Sequence, residues 1–260
     1  SGETDGGLGV AVFYEIDNGA LDDYDMTLSG DWGSLKFNGS GASSAFGAVD
    51  DVMPNAYEES WDVTDTDGTA TTGSPVVIGG GGGANMFIYT SPSFAGATVT
   101  LAYQNHGGSE AADSYTDYAI AFSPEMVEGL TVGAAVSDNE VAAGGKNSNK
   151  TTGYVKYAVG GVTVGYQMSE EDHDTKSSSK ESTGWGITYA VNDDMSIGYH
   201  THTLEFDSGN STNDQESTGI SASYTMGGMT IAGAINETDN SRGTAASDFE
   251  SYEFNLSFAF

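Results

Sequence analysis

The sequence predicts an all-β fold, a transmembrane antiparallel β-barrel, and three observations predict it. Segment after segment alternates apolar and polar residues with a period of two, and none carries a convincing helical period. The connections alternate as well, short turns taking turns with long polar loops, as in barrels that cross a membrane. Tyr, Phe and Trp gather near segment ends (Tyr24, Trp32, Phe122, Tyr189, Tyr199, Phe249), where such barrels carry aromatic girdles at the two interfaces.

The alternation opens with Leu8, Val10, Val12, Tyr14 and Ile16, followed by Tyr24, Met26 and Leu28, then Leu35 and Phe37. After a long interruption come the less regular "NMFIYTSP" at 85–92 and the rows Val99 to Tyr103, Tyr118 to Phe122 and Leu130 to Val136. Further rows begin at Val155, Val162, Trp185, Met195, Ile220 and Met229. The chain closes on "ESYEFNLSFAF", in which Tyr252, Phe254, Leu256, Phe258 and Phe260 alternate with Glu253, Asn255, Ser257 and Ala259. That makes 14 strands, each with one oily and one polar face, because successive strand residues point to opposite sides. "GDWGS" (30–34), "SPEMVEG" (123–129), "VGG" (159–161), "VNDD" (191–194) and "MGG" (226–228) are the short turns. "EEDHDTKSSSKES" (170–182), "FDSGNSTNDQES" (206–217) and "ETDNSRGTAASD" (237–248) are the long loops.

Composition narrows the function. The net charge is −31, from 7 basic and 38 acidic residues, so nucleic acid is excluded as a partner: neutralising phosphates needs Lys and Arg. With no cysteine, neither a disulfide framework nor a thiolate zinc site can form. No window approaches the roughly 18 to 20 apolar residues of a spanning helix. The first residues, "SGETDGG", are not those of a signal peptide. Average hydropathy is blind to a barrel, whose strands need only about 9 to 11 residues each.

One connection is far longer than an ordinary loop: from Gly39 to Ala84, about 46 residues intervene between strands. It carries Asp50, Asp51, Glu58, Glu59, Asp62, Asp65 and Asp67, with Phe46, Met53, Tyr57 and Trp61 to anchor it, so a folded loop is expected.

At "DYDMTLSGDWGSLKFNGSGASSAFGAVDD" (23–51) the chain resembles the general-diffusion porins of alphaproteobacteria, in which a strand ends in Ser-Gly-Asp-aromatic-Gly and leads through a tight turn and short strand to an acidic third loop. Here the motif is Ser29, Gly30, Asp31, Trp32 and Gly33. The closing Leu256, Phe258 and Phe260 resemble the signal by which the barrel-assembly machinery recognises outer-membrane barrels. The resemblance implies a 16-stranded, homotrimeric barrel in the outer membrane of a Gram-negative bacterium, in contact with its lipid and lipopolysaccharide. It implies passive diffusion of small hydrophilic solutes through a pore narrowed by loop 39–84. The family carries two strands ahead of the point where this chain begins, and 14 + 2 = 16, so those strands are expected to be lacking. The family also faces its acidic loop with arginines, whereas the only Arg here is Arg242, in a long loop.

With the loop folded inward, Asp50, Asp51, Glu58, Glu59 and Asp62 would form a low-dielectric constriction that concentrates the field and favours cations. By strand phase Lys36 and Lys156 face the same lumen and supply the opposite sign on the wall. Asp65 and Asp67 in "DVTDTDGT" offer ligands for a loose divalent site, Ca²⁺ for example, but the stretch fails as an EF-hand: Val63 stands where the first ligand belongs and Ser74 where a bidentate Glu would. No cofactor is required. His200 and His202 share a strand face, a two-ligand edge for a transition metal with no third ligand identifiable, and otherwise ordinary polar lumen residues. No serine is marked out as a nucleophile, so no enzyme is expected. The run "IGGGGGAN" lacks the Gly-Lys-Ser/Thr of a phosphate loop and reads as tight backbone packing where the loop rejoins the wall. Acidic loops around Asp172, Asp207, Asp214 and Asp239 would repel lipopolysaccharide unless divalent ions bridge them, which suggests a saline or Ca²⁺- and Mg²⁺-rich habitat. The alternative is a structural or adhesive acidic β-protein of the cell surface, its oily phase packed against itself.

Overall fold

The computed structural model describes residues 1–40, 42–63, 73–83, 85–105, 112–141, 147–175, 178–207 and 213–259. Its strands are β1 (Gly2–Glu3), β2 (Gly9–Asp17), β3 (Ala20–Gly30), β4 (Gly33–Asn38), β5 (Ala42–Ser43), β6 (Gly82–Gly83), β7 (Met86–Thr90), β8 (Ala97–Asn105) and β9 (Ala112–Phe122). Then come β10 (Leu130–Val141), β11 (Ser148–Val159), β12 (Val162–His173), β13 (Lys180–Asn192), β14 (Met195–Phe206), β15 (Gln215–Met226), β16 (Met229–Asp239) and β17 (Phe249–Phe258). Fifteen of them form one sheet in chain order, from β1 to β4 and then β7 to β17, while β5 and β6 pair separately. All 14 expected strands are present; β1, two residues long, is the fifteenth. No helix among the described residues is long and apolar enough to cross a membrane.

Tight turns set the antiparallel register. Asn18 and Gly19 both take positive φ (50° and 83°) between the paired residues Asp17 and Ala20, the mirror-image turn that matches strand twist. Gly160 and Gly161 do the same between β11 and β12.

Burial is inverted relative to a protein folded around an oily core. Along β15, Gln215 and Ser217 are 0% and 1% exposed, whereas Ile220 on the opposite face is 60% exposed. Along β17, Phe254 is 72% exposed. Leu256 and Phe258 share its exposed row. In water, leaving such rows uncovered forfeits roughly 25 cal/mol per Å² of apolar area, so the outer solvent of this sheet is hydrocarbon. Beyond the apolar rows, the same outer face ends in carboxylates that oppose one another in register. Glu170 pairs with Glu181 and Glu181 with Glu205. Glu216 pairs with Asp239, and Glu237 with Glu250.

Two compact units divide the chain. The first comprises Ser1–Asp51, Gly79–Val127 and Val132–Gly153, and the second Val52–Ile78, Glu128–Thr131 and Tyr154–Phe260. Each has its own stretch of the long connection.

Candidate functional site

In the first unit the two limbs of the long connection are clipped together and to the sheet. Ala42 pairs with Gly83 and Ser43 with Gly82. Asp117 of β9, fully buried, accepts hydrogen bonds from the backbone N–H groups of Ala45 (3.2 Å) and Phe46 (2.7 Å) and from the Tyr115 hydroxyl (2.9 Å). Three donors on one carboxylate offset the cost of burying it. The Tyr115 oxygen in turn accepts from Gly81 N–H at 2.7 Å, and Phe46 is sealed from solvent. Gly80 donates to Asp50 Oδ2 at 2.6 Å. A Cβ on Gly80 would lie 2.2 Å from the Gly47 nitrogen, so the glycine run does serve close backbone packing. Burial pushes the Asp50 carboxyl above its ordinary range, against the pull of the Gly80 N–H and the positive charge of Lys150. Lys150 on β11 also donates to Gly79 O.

In the second unit the seat follows one rule: side chains of the sheet, and of the loop that joins β16 to β17, bind the backbone of the connection. Val52 N–H donates to Gln167 Oε1 (3.3 Å), Ala56 N–H to Ser221 Oγ (3.0 Å) and Ser60 N–H to His200 Nδ1 (3.1 Å). The Asn236 amide donates to the carbonyls of Glu59 (2.9 Å) and Asp62 (2.8 Å). Gln215 exchanges two hydrogen bonds with the backbone of Val76. Arg242 Nε donates to Ser74 O (2.9 Å) and Ser241 Oγ to Gly73 O (3.0 Å). Glycines on the sheet make room for this approach. A Cβ on Gly186 would lie 2.3 Å from Pro54 O, and one on Gly165 2.5 Å from Pro54 Cδ. Trp61 sets its ring edgewise against His200 and His202, centroids 5.0 and 4.7 Å apart.

Glu58, Glu59 and Asp62 converge, each offering a carboxylate oxygen within 4.8 Å of the others. Burial raises the Glu58 carboxyl from its ordinary 4.5 to about 7, assisted by the hydrogen bond and charge of Asp62 and by the charges of Glu253 and Glu59. Tyr57 donates its hydroxyl to Glu253 and is itself pushed up to about 12 by that bond. Asn55 Nδ2 donates to Glu59 Oε1 at 3.0 Å.

The residues singled out in the sequence thus fall into groups. Glu58, Glu59 and Asp62 come together, Asp50 is bound by Gly80, and Asp51 is exposed. Lys36 forms an ion pair with Asp25 at 3.0 Å. Lys156 runs beside Gly165, next to Met53 and Pro54, its Nζ 6.0 Å from the Tyr154 ring centre. Asp65, Asp67 and Phe260 lie outside the described residues. His200 and His202 do not present an open metal edge, since Ser60 and Trp61 cover them. Sequence reasoning passed over Lys150, which shares the strand phase of Lys156, and the polar residues that build the seat: Asp117, Gln167, Gln215 and Asn236.

A family model described as Gram-negative porin matches residues 1–260. The chain belongs to the Gram-negative porin family. Solved porins give the same fold at low identity. The anion-selective porin from Comamonas acidovorans aligns with TM-score 0.69 and 13% identity, over 98% of this chain and 86% of that one. A porin refined at 1.8 Å aligns at 0.72 and 16%, over 100% and 89%. A mutant of Rh. blastica porin aligns at 0.64 and 14%, over 100% and 87%. Comparison with curated protein sequences finds no match. This porin is therefore a transmembrane antiparallel β-barrel of the outer membrane, a channel and not an enzyme.

Proposed function

We propose that this porin passes small hydrophilic solutes and ions down their gradients with a preference for cations, and that loop 39–84 folds into its lumen as the constriction. The supporting observation is the convergence of Glu58, Glu59 and Asp62 within 4.8 Å, on a loop seated against the polar face. Carboxylates fixed at a narrow, weakly screened point lower the energy of a cation there and raise that of an anion. Lys150, beside Asp50, supplies the opposite sign on the wall in the first unit, a role the sequence assigned to Lys36 and Lys156. A divalent ion drawn to this cluster of three carboxylates is a passing counterion, and no cofactor is required. Asp65 and Asp67 remain the proposed looser divalent site.

The working form is a homotrimer in outer-membrane lipid. Leu256 and Phe258, with Phe260, serve as the signal for the barrel-assembly machinery. The opposed carboxylates of the outer face meet lipopolysaccharide through bridging divalent ions. The adhesive reading draws no support from a sheet whose oily face is exposed along its strands.

Reversal potential across a planar bilayer under a KCl gradient tests the proposal. A potential of the sign set by cation permeation is expected, and anion preference would overturn the assignment of Glu58, Glu59 and Asp62.

A further inference from the structure

We infer that Asn236 and His200 are positioning residues for charge selectivity: they hold the backbone of residues 59–62 so that the three carboxylates stay converged. The inference rests on the cation-preferring constriction proposed above. Like charges this close repel, and a chain segment carrying them relaxes by swinging them apart unless something fixes its backbone. The fixing groups are on the sheet. Asn236 of β16, 2% exposed, spends both hydrogens of its Nδ2 on the carbonyls of Glu59 and Asp62, at 2.9 and 2.8 Å. Its Oδ1 takes no hydrogen bond among the described residues, so the amide acts as a donor alone. His200 of β14, equally buried, accepts the N–H of Ser60 between those two points at 3.1 Å. Three hydrogen bonds therefore fall on four consecutive residues.

The geometry also shows why these side chains and not others. Two carbonyls need two donors from one short planar group, which Asn has and Asp lacks. Gly219, paired with His200 across β14 and β15, leaves the space: a Cβ there would lie 2.3 Å from Asn236 Oδ1 and 3.1 Å from Ser60 Cα. None of the three bonds uses an acidic side chain. Neutralising the acids thus leaves this seat in place, and cutting the seat leaves the number of charges unchanged.

That separation defines the experiment. Wild-type porin, Asn236→Leu, the triple variant Glu58→Gln/Glu59→Gln/Asp62→Asn, and the combination of all four are purified in detergent. Folding is checked by the shift in gel mobility on boiling, and reversal potentials are measured in a KCl gradient. Asn236→Leu is expected to lower the cation-to-anion permeability ratio by about threefold towards that of the triple variant, and to change it little on the triple background. His200→Leu is the second cut, should Asn236→Leu not fold, and His200→Asn, whose carboxamide oxygen can accept where Nδ1 does, is expected to restore the ratio. An unchanged ratio in both cuts, or an equal shift with and without the three acids, overturns the inference. A wild type whose ratio already equals that of the triple variant overturns the cation reading itself, and the inference with it.

Discussion

Gln215 binds Val76 as a neighbouring strand would: Val76 N–H donates to Gln215 Oε1 at 3.0 Å, and Gln215 Nε2 donates back to Val76 O at 2.8 Å. A side-chain carboxamide has replaced a peptide unit, and it also accepts from Arg242 N–H at 3.1 Å. Replacing it with Leu leaves three partly buried backbone groups without these partners, around a side-chain position that is itself sealed from solvent. Gln215→Leu should therefore destabilise the porin by about 2 to 4 kcal/mol and increase open-channel noise, read by thermal unfolding in detergent and by single-channel recording. An unaltered melting curve would refute it.

Close approach is a second point of attack. Gly186→Val puts side-chain atoms where Pro54 O now lies, only 2.3 Å from an ideal Cβ. The segment around Pro54 must lift away, so single-channel conductance and the size limit for uncharged sugars should both rise. Liposome swelling with sugars of graded size measures the second.

Acidity gives a third. The Glu58 carboxyl, raised from 4.5 to about 7, is held protonated by the fold over pH values at which the unfolded chain has already released its proton. The native state then binds more protons, and the contribution of this group to stability declines as pH climbs through that window. Charge at the cluster grows over the same interval. Cation preference should strengthen between about pH 5 and pH 8, and Glu58→Gln should flatten both the selectivity profile and the stability slope. A wild-type profile as flat as that of the variant would remove the basis for this prediction.

The outer face offers a fourth. Glu181 stands in register between Glu170 and Glu205, and like charges directly opposite on a sheet destabilise it. Glu181→Gln should raise the unfolding temperature at low ionic strength, and added salt should erase the gain. A gain that persists in molar salt would point to packing instead of charge.

How much of this was legible beforehand follows from the range of each interaction. Alternation is local, so all 14 longer strands of the sheet could be read from neighbouring residues, whereas β1, β5 and β6, two residues each, carry no period to read. The acids of the long connection were legible because carboxylates are conspicuous in one stretch. The seat was not. Asn236 and Glu59 lie 177 residues apart, and nothing in the polar phase of a strand separates an amide that grips a loop from one that faces water. Strand phase puts Lys36 on the same face as Asp25, with which it pairs, but phase cannot say which charge a flexible amine will meet. Lys150 obeys the same phase rule as Lys156, and its charge acts on the loop acid Asp50.

The habit of binding the loop by its backbone has an evolutionary reading. Every residue carries a peptide carbonyl, and every residue but proline a peptide N–H, so a socket made for them accepts many sequences. Acids at 58, 59 and 62 can be exchanged for neutral or basic residues while Asn236 and His200 keep their partners. With the loop as the proposed constriction, the barrel wall is a fixed mount for an interchangeable filter, and the ionic preference of such a pore can drift quickly in a lineage whose architecture stays the same.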